Sequence, residues 1–290
     1  MTTSGPSGQG SPIPRQQRGD GPAGAPWTFV DHVRPDGAVV RWESRRHRKH
    51  QRPAAGSTWW APAARGWWIA VLFAIGSLLF AVGSVPGYTE AVGPRRDTVT
   101  YFVGSLFFTA AAYLSYREAV DAAPAALNPT RRRILAYQPR RIDWWATATQ
   151  LVGTLYFNVS TGVAMGSSLS ATTAHQHVWR PDAIGSVCFL VAGFLAWYET
   201  CHGWTAWRPR SWAWWITLAN LVGSVAFGIS AVAGYIDPVT GAVYDPTGAD
   251  TTTLVGALCF LVGSVLLLPE RTETIRHAPA RPVGEAPPAP

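Results

Sequence analysis

Five polar residues fall in register along one apolar stretch: Thr147, Gln150, Thr154, Asn158 and Thr161 stand at i, i+3, i+7, i+11 and i+14. At 3.6 residues per turn this spacing draws a single stripe down a helix. A stripe of amides and hydroxyls without a charge can hydrogen-bond a neighbouring helix, or it can wall a narrow passage or cleft for a small polar solute. Corresponding positions of a second stretch are Thr217, Asn220 and Ser224, and those of a third are Ala70, Phe73 and Ser77. The loss of polarity in one of the three argues against an open ion pore.

Other chemistry is sparse. No Asp, Glu, Lys, Arg or His lies midway along any of the long apolar runs. Proton relays, ion-coupled carriers and voltage sensors need such a group at depth. There is also no buried Ser/His arrangement, no carboxylate pair and no H-E-x-x-H, so catalysis is not expected and no cofactor or metal is indicated. His175 and His177 have a ligand-like spacing, but two donors are too few for a metal site. Glu199, Cys201 and His202 cluster without a second pair to complete a site. Glu118, Glu199 and Glu270 sit at the ends of apolar runs, where solvation or pairing with loop arginines accounts for them.

The elements that carry these residues repeat. A charge-free run opened by a Trp pair occurs at 67–88, 144–165 and 214–235. Each copy has a Gly followed by Ser or Thr (Gly76, Gly153, Gly223), a Phe four residues on (Phe80, Phe157, Phe227) and a small residue after three more (Gly83, Ser160, Ser230). A second apolar run follows each, at 98–116, 183–198 and 251–268, with Gly104, Gly185 and Gly256, then Phe108, Phe189 and Phe260 four later. At about 1.5 Å per residue these runs match the roughly 30 Å hydrocarbon layer. The fold expected is an all-α membrane protein of six transmembrane helices, arranged as three parallel two-helix hairpin repeats. The glycines are candidate helix-packing sites, where small residues admit close approach and a ring fills the notch. Asp97, Asp182 and Asp250 precede the second runs and are suited to cap them.

Division of the chain follows. Residues 1–26 read as a disordered arm, 27–50 as a small basic segment with a β-hairpin about Pro35-Asp36-Gly37, and 51–66 as a linker. The hairpin repeats occupy 67–118, 144–200 and 212–270, with a basic connection at 119–143, a shorter one at 201–211 and a loose tail at 271–290. Of the 24 basic residues, all but Arg95, Arg96 and Arg180 fall on one side of the six expected spans. That asymmetry predicts both termini in the cytoplasm.

The cluster Arg45, Arg46, Arg48, Lys49 and Arg52 reads as a topology-fixing flank that meets the bilayer's anionic headgroups. With no recognition helix or aromatic-interleaved module beside it, nucleic acid is not an expected partner, despite a net charge of +7. A protein partner or a homo-oligomer remains compatible with the sequence. The odd number of cysteines, Cys188, Cys201 and Cys259, indicates no disulfide framework.

The G-S-x-x-F unit in a charge-free two-helix hairpin, seen as VGSLFF at Val103, IGSVCF at Ile184, VGALCF at Val255 and LVGSVAF at Leu221, resembles the YrhK-like family of small bacterial membrane proteins. The resemblance spans about 67–270 and implies a membrane location and a hairpin module, without a chemistry. Two functional classes follow: a non-enzymatic structural or interaction protein of the cytoplasmic membrane, or a small-solute transporter or channel-like protein using the polar stripe of the third and fifth spans.

Overall fold

The structure, a computed structural model, describes residues 16–17, 29–33, 39–43, 45, 48, 57–122, 135–166 and 168–276. The tail beyond 276, most of the 119–143 connection, the Pro35-Asp36-Gly37 turn, and Arg46, Lys49 and Arg52 lie outside the described residues.

Strand β2 (Phe29–Val33) pairs antiparallel with β3 (Val39–Glu43), setting Phe29 opposite Glu43 and Val33 opposite Val39. The two-residue β1 (Gln16–Gln17), within the arm expected to be disordered, adds to the free edge of β2. The rest is helical: α1 (Arg65–Gly83), α2 (Tyr88–Val92), α3 (Pro94–Ala122), α4 (Ile142–Ala164), α5 (Ala171–Ala174), a π-turn at His175–Trp179 that runs into α6 (Arg180–Cys201), then α7 (Trp212–Ala233) and α8 (Pro246–Arg276).

The aspartates expected to cap the second runs do not stand at helix starts. Asp97 lies in the first turn of α3, accepting from Thr89 Oγ1 at 2.8 Å. Asp182 sits where helix already runs in from the π-turn. Asp250 is inside α8, whose opening is held instead by Asp245 accepting from the Gly248 N–H at 2.9 Å. Each helix begins further upstream than its apolar run.

Six long helices close into a ring. Helix α1 packs on α3, α4 on α6 and α7 on α8; the circle is completed by α3 on α4, α6 on α7 and α8 on α1. Within the first pair, Gly83 meets Tyr101, Gly76 meets Phe108 and Gly66 approaches Glu118, an antiparallel register.

The recurrent Gly and Phe residues explain the close approach, because they are reciprocal. A Cβ on Gly76 would stand 2.9 Å from the Phe108 ring, and one on Gly104 would stand 2.9 Å from Phe80. Gly153 faces Phe189 and Gly185 faces Phe157, each at 2.9 Å; Gly223 faces Phe260 at 3.2 Å, and a Cβ on Gly256 would overlap the Phe227 ring. Each helix thus inserts its ring into the notch left by its partner's glycine.

All six rings then meet on the axis of the ring of helices. Phe80, Phe157 and Phe227 form one tier, with centroids 6.4 Å and 6.0 Å apart, and Phe108, Phe189 and Phe260 form another, at 5.6 Å and 6.2 Å. Paired helices link the tiers at 5.4 Å, 5.2 Å and 5.2 Å. Most contacts are edge-on or tilted, the geometry that aromatic quadrupoles favour, worth about 0.5–1.5 kcal/mol per pair beyond area.

A second recurrent device holds the helix starts. The indole N–H groups of Trp67, Trp144 and Trp214 donate to the carbonyls of Trp59, Ala136 and Ala206 at 2.8, 2.7 and 2.7 Å. Their neighbours Trp68, Trp145 and Trp215 donate to Pro62, Pro139 and Pro209, each at 2.9 Å. An aromatic residue two before each proline, Trp60, Tyr137 or Trp207, packs edge-on against the first Trp of the pair.

The ring of helices is apolar outside and partly polar inside. Leu78, Leu106, Val152, Leu155, Val187, Val225 and Val262 are exposed on the outward faces. Among the described residues, five helical segments are long and apolar enough to cross a membrane: Arg65–Gly83, Pro94–Ala122, Ala171–Cys201, Trp212–Ala233 and Pro246–Arg271. Helix α4, expected as the sixth span, is not among them. Its polar stripe lowers its average hydropathy, although Val152, Leu155 and Val159 keep its outward face apolar.

The notch geometry has a direct test. Gly256→Val should lower stability by about 1–3 kcal/mol through overpacking, read by thermal unfolding in nanodiscs. Gly228→Val, at a helical glycine with no atom within 4 Å of a built Cβ, should leave the transition nearly unmoved.

Candidate functional site

The polar stripe on α4 is divided by the phenylalanine tiers. On one side of them Asn158 Nδ2 donates to Thr109 Oγ1 at 2.9 Å, and the Thr161 and Ser105 hydroxyls are 3.1 Å apart, so this half of the stripe bonds α4 to α3. Thr154 is fully buried beside the tiers and donates to its own helix at Leu151 O. On the other side Thr147 and Gln150 face a cavity of about 110 Å³ that they share with Thr217, Asn220 and Ser224 of α7. Sequence spacing places five residues on one face; the ring of helices gives them two different neighbours.

The cavity has an aromatic floor of Phe73, Phe189 and Phe260. Its wall carries Gln150 and Asn220 on the α4 and α7 sides, and on the α1 side Phe73 stands at the corresponding position. Asn220 lies against Gly263, whose missing Cβ leaves room for the amide: a carbon there would sit 2.5 Å from Oδ1. The wall hydroxyls donate inward to their own helices. Thr147 donates to Asp143 O at 2.8 Å, Thr217 to Ala213 O at 2.9 Å, Ser224 to Asn220 O at 2.8 Å and Ser264 to Phe260 O at 2.6 Å. With each proton committed to a carbonyl, what these oxygens offer the cavity is lone pairs.

The mouth is charged. Glu118 and Glu199 line it, and Arg45 and Arg48 reach into it from the segment that follows β3. Arg45 donates twice to Glu270 Oε1, at 3.0 Å from Nε and 2.9 Å from Nη2, while Arg48 Nη2 lies 3.5 Å from Glu199 Oε2. Arg48 is 9% exposed and Glu199 3%. Burial by itself would lower the Arg48 pKa, but Glu199, Asp143, Glu118 and Glu270 surround it and hold it above the ordinary arginine value. The guanidinium is therefore a fixed positive charge among carboxylates. The glutamates, expected to be solvated or paired with loop arginines, are buried, and Glu199 and Glu270 meet arginines of the amino-terminal segment.

Next to the mouth, the buried Arg141 is held by Asp143 in a two-pronged pair, with Nε at 3.0 Å from Oδ1 and Nη2 on Oδ2. Its remaining nitrogen donates to Ala119 O at 2.8 Å and Gln138 Oε1 at 2.7 Å. Arg271 donates to the carbonyl of Ser57 at 2.7 Å, tying the linker before α1 to the end of α8.

The remaining sequence candidates have structural partners. His175 Nδ1 is 2.6 Å from Ile236 O, and its ring packs on Trp179 and Tyr235. His202 ends α6 in the left-handed region at φ 52°. Cys201 is buried and Cys188 and Cys259 are half-buried, all as free thiols. Among the described residues no three His, Cys, Asp or Glu side chains are grouped to hold a metal. Family models, curated proteins and solved structures yield no match to this chain.

Sequence reasoning missed Arg45 and Arg48 as members of the site and missed the aromatic-x-Pro element before each Trp pair. For the second a signal existed: Pro62, Pro139 and Pro209 share one offset from the pairs. For the first there was none, since nothing in a run of basic residues marks one of them for a buried site.

Asp143→Ala would strand the buried Arg141 charge and should cost about 3–5 kcal/mol. Asp121→Ala breaks only the partly exposed pairs with Arg65 and Arg117 and should cost about 1 kcal/mol or less. Thermal unfolding of both variants in the same nanodiscs checks the contrast.

Proposed function

We propose that this chain is a non-enzymatic structural or interaction protein of the bacterial cytoplasmic membrane, whose helix ring anchors its amino-terminal segment at the inner face. The observation that carries this reading is the docking of Arg45 on Glu270 and Arg48 on Glu199. These contacts join the strand segment to the ends of α6 and α8. A segment that only marked topology would have no need of buried, matched carboxylates on two helices.

Six crossings with both termini cytoplasmic are part of the proposal. Helix α4 has 23 residues, enough at about 1.5 Å each to span a bilayer, and its polar side chains point away from the exposed apolar face. At the glutamate end Trp60, Trp68, Trp145, Trp204, Trp207 and Trp215 are exposed, which suits an interfacial aromatic belt. The arginine asymmetry assigns that end to the cytoplasm. Kinship with the YrhK-like family remains a proposal resting on the short Gly-Phe motifs. Anionic headgroups at the basic segments are the partners this topology implies.

A second reading, a small-solute carrier, draws on the cavity beneath the arginines. Against a continuous passage stand the two tiers of phenylalanine rings, which close the axis of the ring.

Topology is checked with a cysteine-free background carrying single cysteines at Ser57 or Thr240. Labelling of intact cells by an impermeant maleimide should reach position 240 and spare position 57. Labelling of both, or of 57 alone, would remove the proposed orientation. For the docking, Arg45→Cys with Glu270→Cys should be bridged by a short bifunctional maleimide that spans the two side-chain lengths removed, and Arg45→Cys alone should not.

A further inference from the structure

Gln150 of α4 and Asn220 of α7 occupy the same position of two repeats, and both line the cavity. Neither side chain makes a hydrogen bond with another of the described residues. A primary amide carries two donors and an acceptor, so it is satisfied by a group that offers both. The hydroxyls around the two amides are not such groups. Thr147, Thr217, Ser224 and Ser264 give their protons to helix carbonyls and offer lone pairs alone. A wall with this excess of acceptors suits a guest rich in N–H. One donor is left over at the mouth, the buried Arg48 Nε, which has no acceptor among the described residues. A carbonyl on the guest suits it.

Charge selects among guests of this kind. The acids near the mouth are engaged: Glu270 holds Arg45, Glu199 holds Arg48, Asp143 holds Arg141, and Glu118 has interactions of its own. A free cation gains a counter-ion there only by breaking one of these pairs, and a free anion meets the four carboxylates that surround Arg48. A neutral guest incurs neither cost. Size and shape narrow the class further. The volume of about 110 Å³ equals the liquid share of about four waters, room for one molecule of about four non-hydrogen atoms. The floor of Phe73, Phe189 and Phe260 offers ring faces on which a planar molecule packs.

We propose that the cavity is a binding site for a small neutral amide of the urea or acetamide class, recognised by the carboxamides of Gln150 and Asn220. Each side-chain carbonyl accepts from an N–H of the guest, and each side-chain NH2 donates to the guest's carbonyl, the exchange that amides make with one another. Because the phenylalanine tiers close the axis behind it, the guest leaves by the mouth it entered, and the site binds without conducting. The inference rests on the docking proposed above for Arg48 alone, since the two amides are placed by the ring of helices.

The experiment uses the full chain in nanodiscs and probes of nearly one shape: acetamide, acetone without the N–H groups, acetate as the anion and acetamidinium as the cation. Their methyl resonances report binding by saturation transfer, with empty nanodiscs as the baseline for lipid. Acetamide should bind about tenfold or more tighter than the other three, the effect of one or two hydrogen bonds, and excess urea should displace it. Gln150→Leu and Asn220→Leu should each weaken acetamide about tenfold, whereas Asn158→Leu, beyond the phenylalanine tiers, should not. If the leucine variants do not fold, the comparison of probes on the wild-type chain decides. Equal binding of all probes, preference for acetate or acetamidinium, no displacement by urea, or folded leucine variants that bind acetamide as wild type does would overturn the proposal. So would no signal above empty nanodiscs, which leaves a cavity for water only. The maleimide bridge between positions 45 and 270 separates the two readings: a bridge that forms without acetamide binding removes the amide site alone, and acetamide binding without a bridge removes the docking alone.

Discussion

The structure depends on one contact repeated six times, a phenylalanine ring seated in the notch of a glycine on the facing helix. Between membrane helices the hydrophobic effect gives little, since lipid tails are as apolar as side chains, so association rests on dispersion and hydrogen bonds. Dispersion falls steeply with distance, and the glycines allow the distance to be short. Because each pair of helices exchanges ring for notch, six rings are delivered to one axis, where they pack edge to face. That cluster closes the centre of the ring and makes the floor of the cavity above it. A passage through the axis and a tight aromatic core are alternative uses of the same space, and the glycines commit the fold to the core.

The charged end obeys a different constraint. Carboxylates withdrawn from water are tolerated only with partners, and here the partners come from a distant part of the chain. Arg45 and Arg48 bring the amino-terminal segment down onto the helix ends, where Glu270 and Glu199 are buried. Arg141 and Asp143 solve the same problem within one turn of helix, which leaves them structural. The polar chemistry therefore concentrates at one mouth, with the aromatic tiers behind it and tryptophans around it.

Helical periodicity makes part of this legible before any coordinates. Gly76, Phe80 and their counterparts recur at spacings that only a helix face explains, and the facing sets on α3, α6 and α8 announce a packing surface. The polar stripe is legible as a face for the same reason. Its division is not: Asn158 and Thr161 meet α3, while Thr147 and Gln150 meet a cavity, because the tiers of rings fall between them. Nor is the low average hydropathy of α4 informative about its position, since polar residues on one face and Val152, Leu155 and Val159 on the other average to an intermediate value. The Trp-to-carbonyl clasps were recoverable from the shared offset of Pro62, Pro139 and Pro209, a pattern hidden because it lies in connections that look irregular.

From its sequence alone this chain has determined its material and its modules: uncharged runs of bilayer length, a Gly-Phe register on each and arginines gathered in the segments before each Trp pair. Those properties are local, set by backbone geometry and side-chain solvation within a few turns. Which rings share an axis, which half of the stripe borders empty space, and that Arg45 and Arg48 enter the mouth were decided only when the helices closed on themselves. Such contacts join residues more than 200 positions apart, as Arg45 and Glu270 are, and no local preference marks Arg45 for the mouth until a buried carboxylate stands opposite it.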